Sequence, residues 1–349
     1  MRLYVAALLA GVAVGVLTHA GFAPLFGPLT LAVFVPALIF EAAWTVDYDL
    51  MRANARPIVL LAVPGVVLTA AVIAAAVHFA GLPWRPALAL GALLSATDPI
   101  AVVAIFRRLH VPPALATIVE SESLLNDAMA VVLFRAVLTG AAVAAAIGVA
   151  VSVAAAIAFA WIVSFALRRA VTAPLQIAAT IAGAYGIYLL SDRFGGSGIF
   201  AAVAFGIALR RFETRRLSVE CNDGVRSFWR TAANAANIVL FFLLGAAVDA
   251  RNVPHAALIM AVTAGAVIIA RVLLAYGVLQ FARKNVTRAW MHVVRMAGVR
   301  GALSVALALS LPAALAQRGQ LISATFAVAV ATMLLGMVTY RRRLSRMKI

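Results

Sequence analysis

Apolar residues run along this chain in stretches of about 20, each closed by Arg, Pro, Gly or a polar cluster. Nowhere do they show the strict alternation of a membrane-barrel strand. Twelve stretches stand out, near residues 3–19, 29–46, 57–80, 86–106, 115–139, 141–167, 174–191, 197–209, 227–248, 254–281, 289–313 and 319–340. A helix needs about 20 residues to cross the hydrocarbon layer, and the runs are rich in Ala and Leu. The pattern therefore predicts an all-α polytopic membrane protein of about 12 transmembrane helices. The run from Leu3 is read as a first span, not a signal peptide, because many spans follow it.

Composition sharpens this picture. Of 349 residues, 65% are apolar and 12% charged, roughly half the charged share of a soluble domain. A mean hydropathy of +1.06 over the whole length excludes a soluble domain on a single anchor, so 1–349 reads as one transmembrane unit. The net charge of +17, from 29 Lys+Arg against 12 Asp+Glu, would suggest nucleic acid in a soluble protein. In a membrane chain it marks basic loops on the cytoplasmic side instead, and no nucleic-acid partner is expected. Arg135, Arg230, Arg271, Arg295 and Arg300 fall inside apolar runs. With the N-terminus inside, 20 of the remaining 24 basic residues face the cytoplasm, and only Arg85, Arg193, Arg251 and Arg318 face outward. Both termini are thus expected in the cytoplasm, in a multi-pass protein of the plasma (inner) membrane.

Several chemistries drop out. The lone Cys221 excludes an internal disulfide, and the five histidines show no metal-ligand spacing. No Walker loop, GxSxG elbow or HExxH occurs. Neither an enzyme, an ATP-driven pump nor a cofactor is expected.

The chain instead concentrates polar residues inside its spans, where each charge costs roughly 2.5–3.5 kcal/mol and persists mainly beside a cavity or a partner. Thr97-Asp98-Pro99 interrupts the fourth span. Proline removes an amide donor there and clashes with the preceding turn, so the helix should break and present free carbonyls at the midplane. On the fifth span, Glu122 and Asn126 share one face, with Ser123 and Asp127 on the adjoining face, all within an arc of roughly 140° at 100° per residue. Such oxygens suit a hard monovalent cation, and a buried carboxylate can hold a proton instead. One group with two exclusive occupants is the minimum machinery of antiport; the alternative is a polar network between helices.

Arg300, between Val299 and Gly301 in the eleventh span, marks a second break seven spans after the first. An odd offset makes the two broken helices antiparallel, as inverted repeats with crossing half-helices require. Arg300 would then offset the carbonyl ends. Arg271 in the tenth span needs a buried carboxylate, for which Glu122 is the candidate. Glu41 reads as structural or as part of an ion funnel, with the structural reading favoured.

Ala96-Thr97-Asp98-Pro99-Ile100-Ala101 followed by Glu122-Ser123-Leu124-Leu125-Asn126-Asp127 closely resembles the sodium/proton exchangers of the monovalent cation:proton antiporter family, in its usually electroneutral Asn-Asp branch. Pro36-Ala37-Leu38-Ile39-Phe40-Glu41, Asn237-Ile238-Val239-Leu240-Phe241, Ala270-Arg271-Val272 and Gly298-Val299-Arg300-Gly301 extend the resemblance over nearly the whole chain. The resemblance implies a homodimer whose ion-translocating core moves like an elevator against a dimerisation unit. Core elements are expected around 57–140 and 227–313, and dimerisation elements around 1–46 and 141–211. Asp127 would be the essential ion- and proton-binding carboxylate. Asp98, Ser123 and the Thr97 carbonyl would complete a Na⁺ site, Asn126 would steady the unwound chain, and Glu122 would pair with Arg271. The family commonly has thirteen spans and an external N-terminus, whereas twelve spans and an internal one are counted here.

The expected function is exchange of Na⁺ (or Li⁺ or K⁺) for protons across the bilayer, electroneutral at one for one. The alternatives are a potassium/proton exchanger and a transporter-like regulatory protein without turnover. The loop charges give a direct test of orientation. Cys221 should resist a membrane-impermeant thiol reagent in intact cells and react after permeabilisation; labelling from outside would overturn the topology.

Overall fold

A computed structural model describes residues 2–18, 28–98, 103, 106, 111–167, 169, 172–213, 219–248, 253–282, 286–315 and 317–344. Its elements are helices throughout. They are α1 (Arg2–Thr18), α2 (Pro28–Thr45), α3 (Tyr48–Ala53), α4 (Ala55–Ala62), α5 (Pro64–Phe79), α6 (Trp84–Ser95), α7 (Pro113–Thr139), α8 (Ala142–Leu167), α9 (Ala173–Arg193), α10 (Gly198–Glu213), α11 (Val219–Ala247), α12 (Val253–Val272), α13 (Arg288–Met296), α14 (Ala302–Leu309) and α15 (Arg318–Leu344). Among the described residues, six stretches are long and apolar enough to cross a membrane unaided: Ala55–Phe79, Ala142–Leu167, Ala173–Arg193, Asn222–Ala247, Ala256–Ala282 and Arg318–Gly336. Shorter apolar helices, Leu3–Leu17 and Leu29–Thr45, add to them, as do α6, α13 and α14 beside the breaks. The protein is an integral, multi-pass, all-helical membrane protein.

Four local features depart from the expected runs. Residues 48–53 form a short helix where a loop was expected, because Asp47 accepts the Leu50 amide at 3.0 Å as an N-cap and satisfies one of the donors that a helix start leaves open. The third span is two helices, since Pro64 cannot donate to the preceding turn and Val63 leaves regular geometry at φ −102°, ψ −72°. The tenth span ends in a π-helical segment, Leu273–Val278, and a 3₁₀ turn, Leu279–Ala282. The ninth helix begins at Val219, eight residues before its apolar run, because an amphipathic helix can continue into the polar layer beyond the hydrocarbon. The Cys221 side chain, Pro99, Arg107 and Arg108 lie outside the described residues.

Packing sorts the helices into two groups. One joins α4–α7 with α12, α14 and α15, where α5 lies on α6 and α12, α6 on α7, and α12 on α15. The other joins α1, α2 and α8–α11. In the second group Phe40 stacks on Trp44 and packs against Phe205 and Trp229, tying α2, α10 and α11 together. Helix α11 belongs by contact to this second group, and its tightest neighbour is α1. Lipid offers no hydrophobic force between helices, so close van der Waals approach of backbones has to hold them. Gly11 and Gly15 lie directly on the backbone of Phe242 and Ala246, and Gly245 on that of Leu8, leaving no room for a Cβ. Arg135 of α7 forms an ion pair with Asp192 of α9, linking the two groups near the C-terminal ends of both helices. Helix α8 is the least covered span, with 11% of its apolar window buried.

Candidate functional site

The candidate site is built where two helices stop. Helix α6 ends at Ser95, Ala96 turns extended at φ −61°, ψ 140°, and residues 96–98 form no helix. Helix α13 ends at Met296, residues 298–301 form no helix, with Gly301 extended at φ −110°, ψ −171°, and α14 restarts at Ala302. The two openings lie against each other. The Asp98 amide donates to the Val299 carbonyl at 2.8 Å, so each break supplies a polar partner that the other lacks. Gly301 makes the crossing possible, because any Cβ there would collide with the Asp98 side chain.

Arg300 sits behind this crossing, 1% exposed, and its Nη1 donates to the Ala96 carbonyl at 3.3 Å. Ser304 Oγ donates to the same oxygen at 3.4 Å, and the Arg300 amide donates to Thr332 Oγ1 at 3.2 Å. The last carbonyl of the first half-helix thus faces a fixed cation.

Helix α7 carries the remaining groups. Ser123 Oγ donates to the Thr97 carbonyl. Asn126 Nδ2 donates to Glu122 Oε1 at 2.9 Å and reaches Thr97 Oγ1 at 3.5 Å. Arg271 forms a two-pronged pair with Glu122, Nη1 to Oε1 at 2.6 Å and Nη2 to Oε2 at 3.1 Å, and its Nε donates to the Val294 carbonyl at 2.9 Å. Bidentate guanidinium–carboxylate geometry is the strong form of this contact, and both groups are buried. Asp127 Oδ1 is buried without a hydrogen-bond partner among the described residues.

These residues divide between two places. Thr97, Asp98, Ser123 and Asp127 line one cavity of about 250 Å³. Glu122 and Arg271 do not; they brace α7 against α12, with Asn126 joining that brace to the Thr97 hydroxyl. The cavity extends from the crossing toward Thr45, Glu120 and Arg230, which lie at the same ends of their helices as the Arg-rich loops.

The cavity wall also carries residues that the sequence reading did not assign to it. Glu41, read as more structural than functional, lies on the wall, as do Glu120, Arg230, Asn234 and Asn237. The signal for the α11 residues was spacing: 230, 234 and 237 recur at helical intervals in a span otherwise built of Ala, Leu and Phe. Chemically, the floor offers carboxylate, hydroxyl and carbonyl oxygens close together, a donor set for a hard cation or a proton.

Residues 3–341 match the family described as sodium/hydrogen exchanger, transmembrane. The chain is 32% identical over 324 residues to the Na(+)/H(+) antiporter ApNhaP of Aphanothece halophytica, an alignment covering 88% of this chain and 62% of that protein. It is 30% identical over 328 residues to the low-affinity Na(+)/H(+) antiporter NhaS1 of Synechocystis, with the same coverage of 88% and 62%. The chain thus spans about three fifths of the length of these relatives. In fold it is similar to the sodium proton antiporter MjNhaP1 of Methanocaldococcus jannaschii, with a TM-score of 0.76, 18% identity, and coverage of 95% of this chain and 91% of that one.

The Glu122–Arg271 brace generates a stability test. Removing one partner leaves the other charged and buried, a loss of roughly 3–5 kcal/mol where such pairs have been broken. Arg271→Ala and Glu122→Ala should each lower the thermal midpoint of the purified protein clearly, with Arg271→Ala changing ion affinity less than stability. Unchanged midpoints for both would show that the pair carries no stability.

Proposed function

Because the chain belongs to the sodium/hydrogen exchanger family, we propose that it is a secondary antiporter that exchanges Na⁺ for H⁺. The observation that carries this reading is the cavity that ends on Asp127 and Asp98 at the crossing of two opened helices. Asp127 alternates between a proton and the cation, and its unpartnered Oδ1 is the atom available to both. Asp98, the Ser123 hydroxyl and the Thr97 carbonyl complete the cation shell. Asn126 holds the opened strand through Thr97, while Glu122 with Arg271 fixes the register of α7. Arg300 balances the carbonyl end of the α6 half-helix.

Alternating access in this reading is an elevator-like movement of α4–α7 with α12–α15 against a scaffold of α1, α2 and α8–α11. Packing favours placing α11 with the scaffold and α15 with the moving bundle. The scaffold forms the homodimer contact. The cavity faces the cytoplasm of a plasma-membrane protein with both termini inside, as the loop charges favour.

Exchange is one cation for one proton. Asn126 cannot ionise, so Asp127 alone changes occupant, and Asp98 serves as a fixed charge. A membrane potential does ~2.3 kcal/mol of work per charge at about 100 mV, yet a cycle that moves no net charge takes up none of it.

Two measurements in liposomes test the reading. Asp127→Asn should abolish Na⁺-driven dissipation of a pH gradient while the protein still inserts, because an amide cannot cycle between proton and cation; normal dissipation would sink the assignment. With the wild type under a valinomycin-clamped potassium diffusion potential, initial Na⁺-driven rates should match at zero and strongly negative voltage. Clear voltage dependence would refute the one-for-one cycle and return Asp98 to the list of proton carriers.

A further inference from the structure

The cavity has an unusual charge balance for a path that takes a monovalent ion. Among the described residues, its walls carry four carboxylates, Glu41, Asp98, Glu120 and Asp127, and one basic side chain, Arg230. Oxygen-lined holes of several carboxylates are the chemistry by which proteins hold Ca²⁺ and, with retained waters, Mg²⁺. Coulomb energy is proportional to the ion's charge, so such a cavity pulls a divalent ion twice as hard as a monovalent one. That pull favours the divalent ion.

Arg230 sits where it can oppose this. It is exposed on the cavity wall, on the stripe of α11 that also presents Asn234 and Asn237. It lies seven residues, about 10 Å at 1.5 Å per residue, nearer the basic-loop end of the helix than Asn237. An arriving cation meets the guanidinium at the mouth before it meets the crossing. Arginine stays charged at any pH the protein encounters, so the barrier holds whether or not the carboxylates below it are protonated. Arg300 is buried behind the crossing and is not among the lining residues, so it does not stand at the mouth.

We propose that Arg230 is a charge-discriminating residue of the cavity, which weakens the binding of divalent cations there more steeply than that of monovalent ones. This rests on the exchange reading for the identity of the admitted ion. It also makes a quantitative demand. If removing the guanidinium charge strengthens Na⁺ binding by some factor, it must strengthen divalent binding by about the square of that factor, because the same potential acts on twice the charge.

The test uses the full chain, purified and reconstituted, as wild type, Arg230→Lys, Arg230→Gln and Arg230→Glu. Two quantities are measured for each: the half-saturating Na⁺ concentration for proton movement with its inhibition by Ca²⁺, and the affinity for Mn²⁺ in detergent by electron paramagnetic resonance, which requires no turnover. Arg230→Gln should lower the half-saturating Na⁺ about twofold to fivefold and the Ca²⁺ inhibition constant by about the square of that. Arg230→Glu should repeat both steps, and Arg230→Lys should match the wild type. Mn²⁺ affinity should follow the Ca²⁺ series, and all differences should shrink as choline chloride screens the mouth. Divalent affinities that stay constant across the series, that change only in proportion to Na⁺, or that differ between Arg230→Lys and wild type would overturn the proposal. A wild type without Na⁺-driven proton movement would instead strike the exchange reading, and the Mn²⁺ series would still decide the part played by Arg230.

Discussion

A polypeptide that opens its helices inside a membrane must find partners there for every amide and carbonyl it frees, since water cannot supply them in the hydrocarbon. Here the freed groups of one break satisfy those of the other, through the Asp98 amide and the Val299 carbonyl, with Arg300 and Ser304 taking the Ala96 carbonyl. The rest of the site follows from that mutual arrangement. Gly301 has to be bare for the strands to touch, and α7 has to lie close enough for Ser123 and Asn126 to reach Thr97. Arg271 and Glu122 then hold α7 against α12, so the electrostatic brace serves the backbone geometry and leaves the cavity carboxylates to the solvent side.

The parts of this arrangement that were legible in the sequence are those whose cost is local. Proline after Asp98 announces a break wherever the chain is placed, and an arginine alone in an apolar run demands a carboxylate. The family motifs then named Asp127, Asp98 and Ser123 together. Arg230 and Asn234 were not legible as cavity residues, and Glu41 only as the less favoured of two readings, because what a side chain on α2 or α11 faces depends on how one helix group lies against the other. Hydrophobic pattern also carries no mark of a ladder shifted by one residue, so the π-helical turn at Leu273–Val278 could not be anticipated. Polar residues from Asn222 to Arg226 read as a loop for the same reason that they extend a helix in water: once outside the hydrocarbon, the apolar stripe needs to cover only one face.

The two helix groups are held by different physics. Within the scaffold group, glycine contacts and an aromatic cluster of Phe40, Trp44, Phe205 and Trp229 give dense, shape-specific packing that tolerates little displacement. Between the groups stand a water-accessible cavity and, toward the other end of α7, the partly exposed Arg135–Asp192 pair. A partly solvated ion pair contributes little net stability, so it can be broken and reformed at small cost.

The intimacy of α1 and α11 has a consequence for how the protein is made. Gly245 leaves the ribosome more than two hundred residues after Gly11 and Gly15, a delay of roughly 10–50 s at about 5–20 residues per second. Throughout that interval α1 must stay in the bilayer without the partner against which its glycines fit, held only by an apolar surface that carries no charge beyond Arg2. The two small-residue positions are therefore shaped for a helix that does not yet exist when they enter the membrane. The order of synthesis makes closure of this pair one of the late events of assembly, possible only after the crossing residue Asp98 has been made.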